Sequence, residues 1–430
     1  MKLTAYSYMK KAAVLLFCMV VLGSGTCIAK KYIEGDTPDE SIPVGDLKTE
    51  RKKAWESYKK SRAASAKSEI DRGYITYGDA TMRFTVRNLG GKSTAGVPLY
   101  IALHGGGSSD TPDLNNEQWR QMQSYYVGNL TEGIYIAVRG VRDTWDTHFN
   151  PESYPLYDRL IEDCILVFGI DPNKVYLEGF SAGGDGVYAV APRMADRFAA
   201  ANMSSGHPNN VSFINMRNLP IQLQTGEFDT AYNRNTETVH YDDILNALAQ
   251  SYDGYEHRTL VHHNMGHNYN DWTNKPVAVM TSPQAWRDEG SRANKKVNPF
   301  PPDYMRQFTR EPLPELVLWD LSTRADRRSV ESFYYLKASK NVTEGIVAVQ
   351  YIPGQNDIYI DTADLNGDFS ILLNEDMIDF SRPVTFHIGD KTVSLRFKTS
   401  RELLKKTTAE RGDPSYQFEA SVSYSDLMSR

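Results

Sequence analysis

The sequence predicts an α/β fold, a mostly parallel sheet with helices on both faces, followed by a smaller C-terminal antiparallel β-sandwich-like domain. Two observations carry this prediction. Over residues 73–297, short apolar runs alternate with segments of helical periodicity, which is typical of a parallel sheet with crossover helices. Beyond the proline-rich stretch 298–312, residues 313–430 contain short alternating strands separated by turn residues, which indicates an antiparallel sandwich.

Composition excludes several classes of protein. The chain has 430 residues, of which 40% are hydrophobic, so it can bury a substantial core and is not a disordered chain. Its net charge of −6 argues against a general nucleic-acid-binding protein, which usually carries a basic excess. Three cysteines are too few for a disulfide scaffold and make a thiolate zinc site an unfavourable hypothesis.

The amino terminus has the pattern of an export signal. Lys2, Lys10 and Lys11 precede the apolar run 12–22, which is too short to span a bilayer, and small residues follow it. We therefore expect residues 1–29 to be a signal peptide and the protein to be exported to the periplasm, outer surface or extracellular space. A lipid anchor on Cys27 is the alternative. Residues 30–72 are expected to form a charged helical leader that packs against the following domain.

Each element of the α/β domain has its own signal in the sequence. A hairpin is predicted around Gly78-Asp79, because these turn residues separate alternating apolar and polar positions. Apolar runs bounded by turn residues predict strands, and stripes of apolar residues at 3.6-residue spacing predict helices. The expected strands cover 98–103, 134–138, 175–177, 198–203, 221–223 and 259–262, and the expected helices cover 157–168, 182–194 and 241–252.

The strongest chemical motif is Gly179-Phe180-Ser181-Ala182-Gly183, between a predicted strand and a predicted helix. A nucleophilic serine on a tight strand-to-helix turn needs small neighbours, because the strand and helix approach each other closely there. This turn exposes the Ser181 hydroxyl and directs the Ala182 amide toward a developing oxyanion. A chance glycine-serine loop is the alternative interpretation.

A second motif, His104-Gly105-Gly106-Gly107, directly follows the strand predicted at 98–103. Glycines let main-chain amides approach a reacting carbonyl oxygen, so Gly105 and Gly106 are, with Ala182, the candidate oxyanion-hole residues. A flexible loop is the competing interpretation.

An acid and a base follow in the chain order that such a site requires. Asp229 and Glu227 both come directly after the strand at 221–223, and Asp229 is preferred as the acid that orients a histidine. His267 is the preferred base, with His262 and His263 as competitors. A metal cluster of these three histidines is disfavoured, because no matching carboxylate spacing accompanies it.

Substrate-binding residues are sought on the loop 139–148, which follows the strand at 134–138 and shares the same rim. Trp145 is a candidate for stacking on a sugar or aromatic ring, Arg142 for holding a carboxylate, and His148 lies on the same loop. Equally, Trp145 could pack the loop and Arg142 could pair with Asp143 or Asp146. Asp185 and His207 are weaker candidates at the rim.

These motifs and the segment Ile170-Asp-Pro-Asn-Lys-Val-Tyr-Leu-Glu-Gly-Phe-Ser-Ala-Gly-Gly184 resemble the alpha/beta-hydrolase superfamily. Within it, the segment is similar to secreted esterases related to polyhydroxybutyrate depolymerases and to feruloyl and acetylxylan esterases. The resemblance covers residues 73–273, under half of the chain. The order Gly-Gly-Asp after Ser181 and the tripeptide Asn-Met-Gly before His267 depart from the commoner family patterns.

The resemblance implies an exported serine carboxylic ester hydrolase that uses Ser181, Asp229 and His267 without a cofactor or metal. Its expected substrates are acetyl, feruloyl or methyl-uronate esters of polysaccharides, or related polyesters. A serine peptidase of the same fold is one alternative, although no propeller repeat accompanies the motifs. A non-catalytic glycan-binding protein on a hydrolase scaffold is another.

Overall fold

The computed structural model describes residues 32–33, 41–91, 96–107, 112–280, 295–324 and 331–430. The predicted signal peptide 1–29 and Cys27 lie outside the described residues. The described chain divides into two compact units. The larger unit contains residues 62–311, and the smaller unit contains residues 41–61, 312–324 and 331–430 together with the two-residue strand Tyr32–Ile33.

The larger unit is built on a ten-stranded sheet. Its strands are β1 (Tyr74–Tyr77), β2 (Ala80–Asn88), β3 (Val97–Leu103), β4 (Ile134–Val138), β5 (Ile170–Phe180), β6 (Ala200–Ser204), β7 (Ile221–Gly226), β8 (His257–His262), β9 (Val277–Met280) and β10 (Lys295–Val297). Their order across the sheet is β1-β2-β4-β3-β5-β6-β7-β8-β9-β10. The six strands from β4 to β8 in this order run parallel, and the strands at both edges pair antiparallel.

Register brings the motif-bearing strand ends to one edge of this sheet. Leu103 at the end of β3 pairs with Gly179 in β5, and Gly226 at the end of β7 pairs with His262 at the end of β8. Every residue of β4, β6 and β7 is buried, as expected for central strands covered on both faces. The loops after these parallel strands therefore meet at the carboxyl edge, where ligands bind in open α/β sheets.

Five helices within the larger unit accompany the sheet in the described part of the chain. They are α2 (Pro112–Tyr125), α3 (Ser153–Phe168), α4 (Ala182–Val190), α5 (Arg234–Tyr252) and α6 (Pro301–Met305), counted after the leader helix α1 (Leu47–Arg72). Helix α4 ends four residues before the predicted position, and α5 begins seven residues earlier than predicted. The predicted fold class is confirmed by this alternation of parallel strands and helices.

The stretch 298–312, predicted as a linker, packs up to residue 311 as part of the larger unit. Phe300, Tyr304 and Met305 are buried in an apolar cluster of this unit. Arg310 donates hydrogen bonds to the Asn173 side chain at 3.0 Å and to the Asp196 carbonyl at 2.7 Å. The prolines here start the short helix α6, where a missing amide proton costs nothing, and do not mark a spacer.

The charged leader forms the helix α1, and its two halves belong to different units. Within the smaller unit, Arg51 lies 2.6 Å from Asp376 and 3.2 Å from the buried Glu419. Within the larger unit, Arg62 lies 2.7 Å from Glu162. Residues 47–61 of the leader therefore group with the β-rich unit, and residues 62–72 group with the α/β unit.

The smaller unit contains two sheets. Its strands are β11 (Leu316–Asp320), β12 (Ser332–Phe333), β13 (Leu336–Ala338), β14 (Ile346–Ile352), β15 (Asp357–Ala363), β16 (Phe369–Leu373), β17 (Val384–Ile388), β18 (Lys391–Phe397) and β19 (Ala420–Ser423), and its helices after α1 are α7 (Arg401–Arg411) and α8 (Tyr424–Ser429). One sheet has the order β12-β13-β16-β19 and is antiparallel. The other sheet has the order Tyr32–Ile33 followed by β18-β17-β15-β14-β11. Its pairs are antiparallel except for two parallel ones, β15 with β17 and Tyr32–Ile33 with β18.

Within the described ranges, no helix combines the length and the apolar character needed to cross a membrane.

Candidate active site

Ser181 stands on a strained turn between β5 and α4. Its φ of 58° and ψ of −120° are unusual for a residue with a side chain, and such strain is characteristic of functional positions. A Cβ atom at Gly179 would lie 2.2 Å from the Gly183 carbonyl oxygen, and one at Gly183 would lie 2.0 Å from the Leu103 carbonyl oxygen. Both glycines of the motif are thus required by backbone contacts around Ser181.

The structure brings Ser181, His267 and Asp229 together at the carboxyl edge of the sheet. The Oγ atom of Ser181 lies 3.0 Å from Nε2 of His267, and Nδ1 of the same ring lies 2.9 Å from Oδ2 of Asp229. The carboxylate contact favours the tautomer with its proton on Nδ1, which leaves Nε2 as an acceptor for the serine proton. Asp229 is buried, whereas the imidazole of His267 is partly open to solvent.

The competing acid and bases occupy other positions. Glu227 accepts a hydrogen bond from the Asn264 amide at 2.9 Å and lies 2.9 Å from Nδ1 of His263. Nε2 of His262 lies 2.9 Å from Oε1 of Gln224, and burial lowers the pKa of His262 to about 3. Among the described residues, no three His, Cys, Asp or Glu side chains form a group that could hold a metal ion.

The glycine loop after β3 lies against the turn that carries Ser181. A Cβ atom at Gly105 would lie 3.4 Å from the Ser181 Cβ, and one at Gly107 would lie 3.2 Å from the Ala182 Cβ. The Gly107 amide donates to Oδ1 of Asn115 at 2.7 Å, so the remaining candidate oxyanion donors on this loop are the Gly105 and Gly106 amides. Gly106 has a φ of 105°, which a residue with a side chain rarely adopts.

Asn115, on α2, fixes the position of this glycine loop. Its Oδ1 atom would lie 2.3 Å from a Cβ at Gly106, and its Nδ2 atom donates to Asp143 at 2.7 Å. Asp143 also accepts a hydrogen bond from Arg139. The loop after β4 therefore supports the loop after β3 through the hydrogen bonds that link Arg139, Asp143 and Asn115. The motifs alone did not indicate this connection.

His104 and His148 form a buried histidine pair beneath the glycine loop. The ring centroids are 4.5 Å apart, and Nε2 of His148 contacts the His104 carbonyl at 2.8 Å. Nε2 of His104 accepts a hydrogen bond from the Gly140 amide at 3.0 Å, and burial lowers the pKa of His104 to about 4. Because His148 is fully buried, its side chain cannot touch a substrate in this conformation, which corrects its assignment as a binding residue.

A cavity of about 500 Å³ opens beside Ala182 and the glycine loop. This size is within the range of small-molecule sites. Its lining combines main chain, aromatic rings and polar side chains. The residues that line it are Gly106, Gly107, Thr144, Trp145, Ala182, Asp185, His207, Asn209, Tyr232 and Arg234.

The two rim residues favoured by the sequence differ in their positions. Trp145 lines the cavity, remains 58% exposed, and packs edge-on against Phe149 with ring centroids 5.2 Å apart. Arg142 is not a lining residue and lies 3.0 Å from Glu152 and 3.4 Å from Asp79. These pairs differ from the Asp143 and Asp146 partners considered above.

Tyr232, Arg234 and Asn209 are cavity residues that sequence reasoning missed, and Asp185 and His207 are two that it ranked low. Tyr232 and Arg234 follow Asp229 within five residues, so the loop after β7 was the signal that could have identified them. Asp185 lies one helical turn after Ser181 and accepts a hydrogen bond from the His207 amide at 2.6 Å. Burial raises the pKa of Asp185 to about 6.

The strand order, the serine turn and the sheet edge at which they meet are those expected of the alpha/beta-hydrolase fold. No family model matches the sequence. A probable feruloyl esterase C from Aspergillus terreus (strain NIH 2624 / FGSC A1156) is 32% identical over 111 residues, which are 25% of this chain and 40% of that protein. The chain thus spans about two fifths of the length of this curated relative.

Solved structures of esterases are similar to part of the chain. A thermostable esterase is 18% identical over an alignment that covers 56% of this chain and 64% of the esterase chain, with a TM-score of 0.35. A ferulic acid esterase from the anaerobic fungus Anaeromyces mucronatus is 19% identical over an alignment that covers 46% of this chain and 84% of the esterase chain, with a TM-score of 0.29.

Proposed function

We propose that the protein is a serine carboxylic ester hydrolase in which Ser181 is the nucleophile, His267 the general base and Asp229 the orienting acid. The observation that carries this proposal is the unbroken series of contacts from Ser181 Oγ to His267 Nε2, at 3.0 Å, and from His267 Nδ1 to Asp229, at 2.9 Å. Ala182, the residue directly after Ser181, lines a cavity that can hold a substrate. The similarity to a probable feruloyl esterase supports the same reaction class.

The reaction follows from the positions of these groups. His267 takes the Ser181 proton while Oγ attacks the ester carbonyl, and the buried Asp229 carboxylate stabilises the imidazolium that forms. The carbonyl oxygen becomes an oxyanion, for which the Ala182 amide and the Gly105 or Gly106 amide are the proposed donors. The loss of one such donor typically costs about 3–4 kcal/mol of transition-state stabilisation.

Collapse of the tetrahedral intermediate releases the alcohol, which takes the proton from His267, and leaves an acyl group on Ser181. Water then attacks the acyl-enzyme with His267 again as the base, and the carboxylic acid leaves. All protons in this cycle move through His267.

We infer that the substrates are acetyl, feruloyl or methyl-uronate esters carried by polysaccharides, or related polyesters, and that the protein acts outside the cytoplasm. The named activity of the Aspergillus relative and the polar, aromatic-lined cavity support the polysaccharide ester. The basic and apolar segments of residues 2–22 support export.

The test is hydrolysis of p-nitrophenyl acetate and of the three polysaccharide ester types by wild-type protein and by Ser181→Ala. We expect wild-type turnover and a loss of at least about 10³-fold in the variant. A dipeptide anilide serves as the peptidase substrate. Cleavage of the anilide alone, or full ester activity in Ser181→Ala, would contradict the proposal.

A further inference from the structure

Next to the serine turn, the cavity carries opposite charges on two neighbouring lining residues. Arg234, at the start of α5, is largely buried, and its Nη1 atom lies 3.8 Å from Oδ1 of Asp229. Asp185, in the first turn of α4, lines the same cavity. The positive field of Arg234 lowers the pKa of Asp185 against the dominant effect of burial, so the two groups interact electrostatically.

The guanidinium of Arg234 packs over an aromatic ring, but one of its nitrogen atoms makes no hydrogen bond within the described residues. Its Cζ atom lies 4.8 Å from the centroid of the Tyr232 ring, within the range of a cation–π contact. Its Nε atom is buried and has no hydrogen-bond partner within the described residues.

The backbone around Tyr232 adds a second, independent observation. Tyr232 and Asn233 both have positive φ values, of 56° and 57°, and this conformation leaves the Tyr232 ring 74% exposed beside the guanidinium. Two consecutive strained residues persist only where surrounding contacts hold them, and they concentrate at ligand sites. Trp145, on the loop after β4, supplies another exposed aromatic ring to the same cavity.

The charges decide which ligand fits. An anionic group attracted to Arg234 would also meet the carboxyls of Asp185 and Asp229, so a carboxylate ligand is disfavoured. A purely apolar ring would desolvate the polar atoms of Arg234 and Asp185 and would offer them no additional hydrogen bond. A neutral sugar presents hydroxyls that donate to a carboxylate and accept from a guanidinium, and its C–H faces pack on aromatic rings.

We propose that this cavity binds a neutral sugar ring of the substrate, with Asp185 and Arg234 hydrogen-bonding its hydroxyls and with Trp145 and Tyr232 packing against it. The inference rests on the proposed function only in assigning this sugar to the ester that Ser181 cleaves. Asp185 and Arg234 are then specificity-determining residues, and the sugar side of the ester is selected by the loops after β5 and β7.

The experiment measures sugar binding without catalysis. Titration calorimetry is carried out on full-length Ser181→Ala protein with xylotetraose, cellotetraose and arabinose-substituted xylotetraose as neutral probes and digalacturonic acid as the anionic probe. At least one neutral probe is expected to bind, and more tightly than digalacturonic acid. Adding Asp185→Asn, Arg234→Leu or Tyr232→Ala to the Ser181→Ala background is expected to weaken that binding at least tenfold.

Matched controls keep the result interpretable. Asp243→Asn and Tyr77→Ala remove the same types of group at exposed positions that do not line the cavity, and we expect unchanged binding. Tyr232 is exposed, so its variant reports on the cavity even if Arg234→Leu destabilises the fold. The proposal would be overturned if no neutral probe binds or if digalacturonic acid binds more tightly than the neutral probes. It would also be overturned if all three cavity variants bind the neutral probe as tightly as the Ser181→Ala protein.

The two proposals fail separately in these assays. Neutral-sugar binding that depends on the cavity residues, in a wild-type protein that hydrolyses no ester, would overturn the proposed function and leave the sugar site standing. Ester hydrolysis that depends on Ser181, without sugar binding, would support the proposed function and overturn the sugar site.

Discussion

At the scale of single residues, the contrast between Asp229 and Glu227 shows how contacts assign roles to two carboxylates on one turn. Both are buried and two positions apart, but only Asp229 reaches the His267 ring. Glu227 is engaged by the Asn264 amide and His263 instead. The sequence favoured Asp229 but left Glu227 open, because a shift of two positions along one turn determines which side chain faces the histidine.

The two carboxylates should differ sharply on substitution. Asp229→Asn is expected to lower kcat on p-nitrophenyl acetate on the order of 10⁴-fold, because the amide favours the wrong tautomer of His267. Glu227→Gln is the matched control, with an expected effect below about tenfold, since an amide oxygen can still accept from Asn264. Steady-state kinetics of both variants would make this comparison, and a larger loss in Glu227→Gln would reverse the assignment.

At the scale of elements, the site depends on loops that follow β3, β4, β5, β7 and β8 and meet at one edge of the sheet. The two turns that carry Ser181 and the glycine loop were predictable, because their motifs are local and directly follow strands. The hydrogen bond between Asn115 and the Gly107 amide was not predictable, because it depends on where α2 lies in the folded protein. The same limit applies to residues 298–311, whose prolines suggested a spacer although their aromatic neighbours pack in the core.

Removing the support of the glycine loop should affect turnover more than binding. Asn115→Ala deletes the acceptor of the Gly107 amide and the donor to Asp143, so the oxyanion donors lose their fixed position. We expect kcat to fall about 10- to 100-fold while KM changes less than about threefold, since the lost contact acts in the transition state. A rise in KM at constant kcat would instead assign Asn115 to substrate binding.

The close approach at the serine turn predicts a loss of stability when a methyl group is added. Gly183→Ala places a Cβ 2.0 Å from a backbone oxygen of β3, which cannot move without disturbing the sheet. We expect a loss of about 3 kcal/mol or more in the free energy of unfolding. Gly128→Ala, where nothing lies within 4 Å of the new methyl group, is the control, and thermal unfolding of both proteins measures the difference. Equal melting temperatures would contradict the predicted clash.

At the scale of the whole molecule, the larger unit buries histidines in their neutral form. Burial lowers the pKa of His262 to about 3 and that of His104 to about 4, whereas an unfolded histidine titrates near about 6.5. As the pH falls below about 6.5, the unfolded chain takes up protons that the folded chain does not. These residues therefore contribute stability that is present above this pH and is lost on acidification.

Substitution of His262 isolates one part of this dependence. Between pH 6.5 and 4.5, wild-type protein is expected to lose about 2 kcal/mol more unfolding free energy than His262→Gln, because glutamine can still donate to Gln224 but does not titrate. Urea unfolding at the two pH values measures this difference. His240→Gln, at an exposed position, is expected to follow wild type. Identical pH dependence in all three proteins would show that His262 is not held neutral.

The central claim is that Ser181 is an activated nucleophile, and covalent labelling tests it most directly. A fluorophosphonate forms a stable bond to a serine only where a base activates the hydroxyl and an oxyanion site accepts the phosphoryl oxygen. Peptide mass spectrometry of the labelled protein should place one adduct on Ser181, with none at this residue in His267→Ala. An adduct on another serine, or ester hydrolysis that persists in Ser181→Ala without an adduct at this position, would contradict the account.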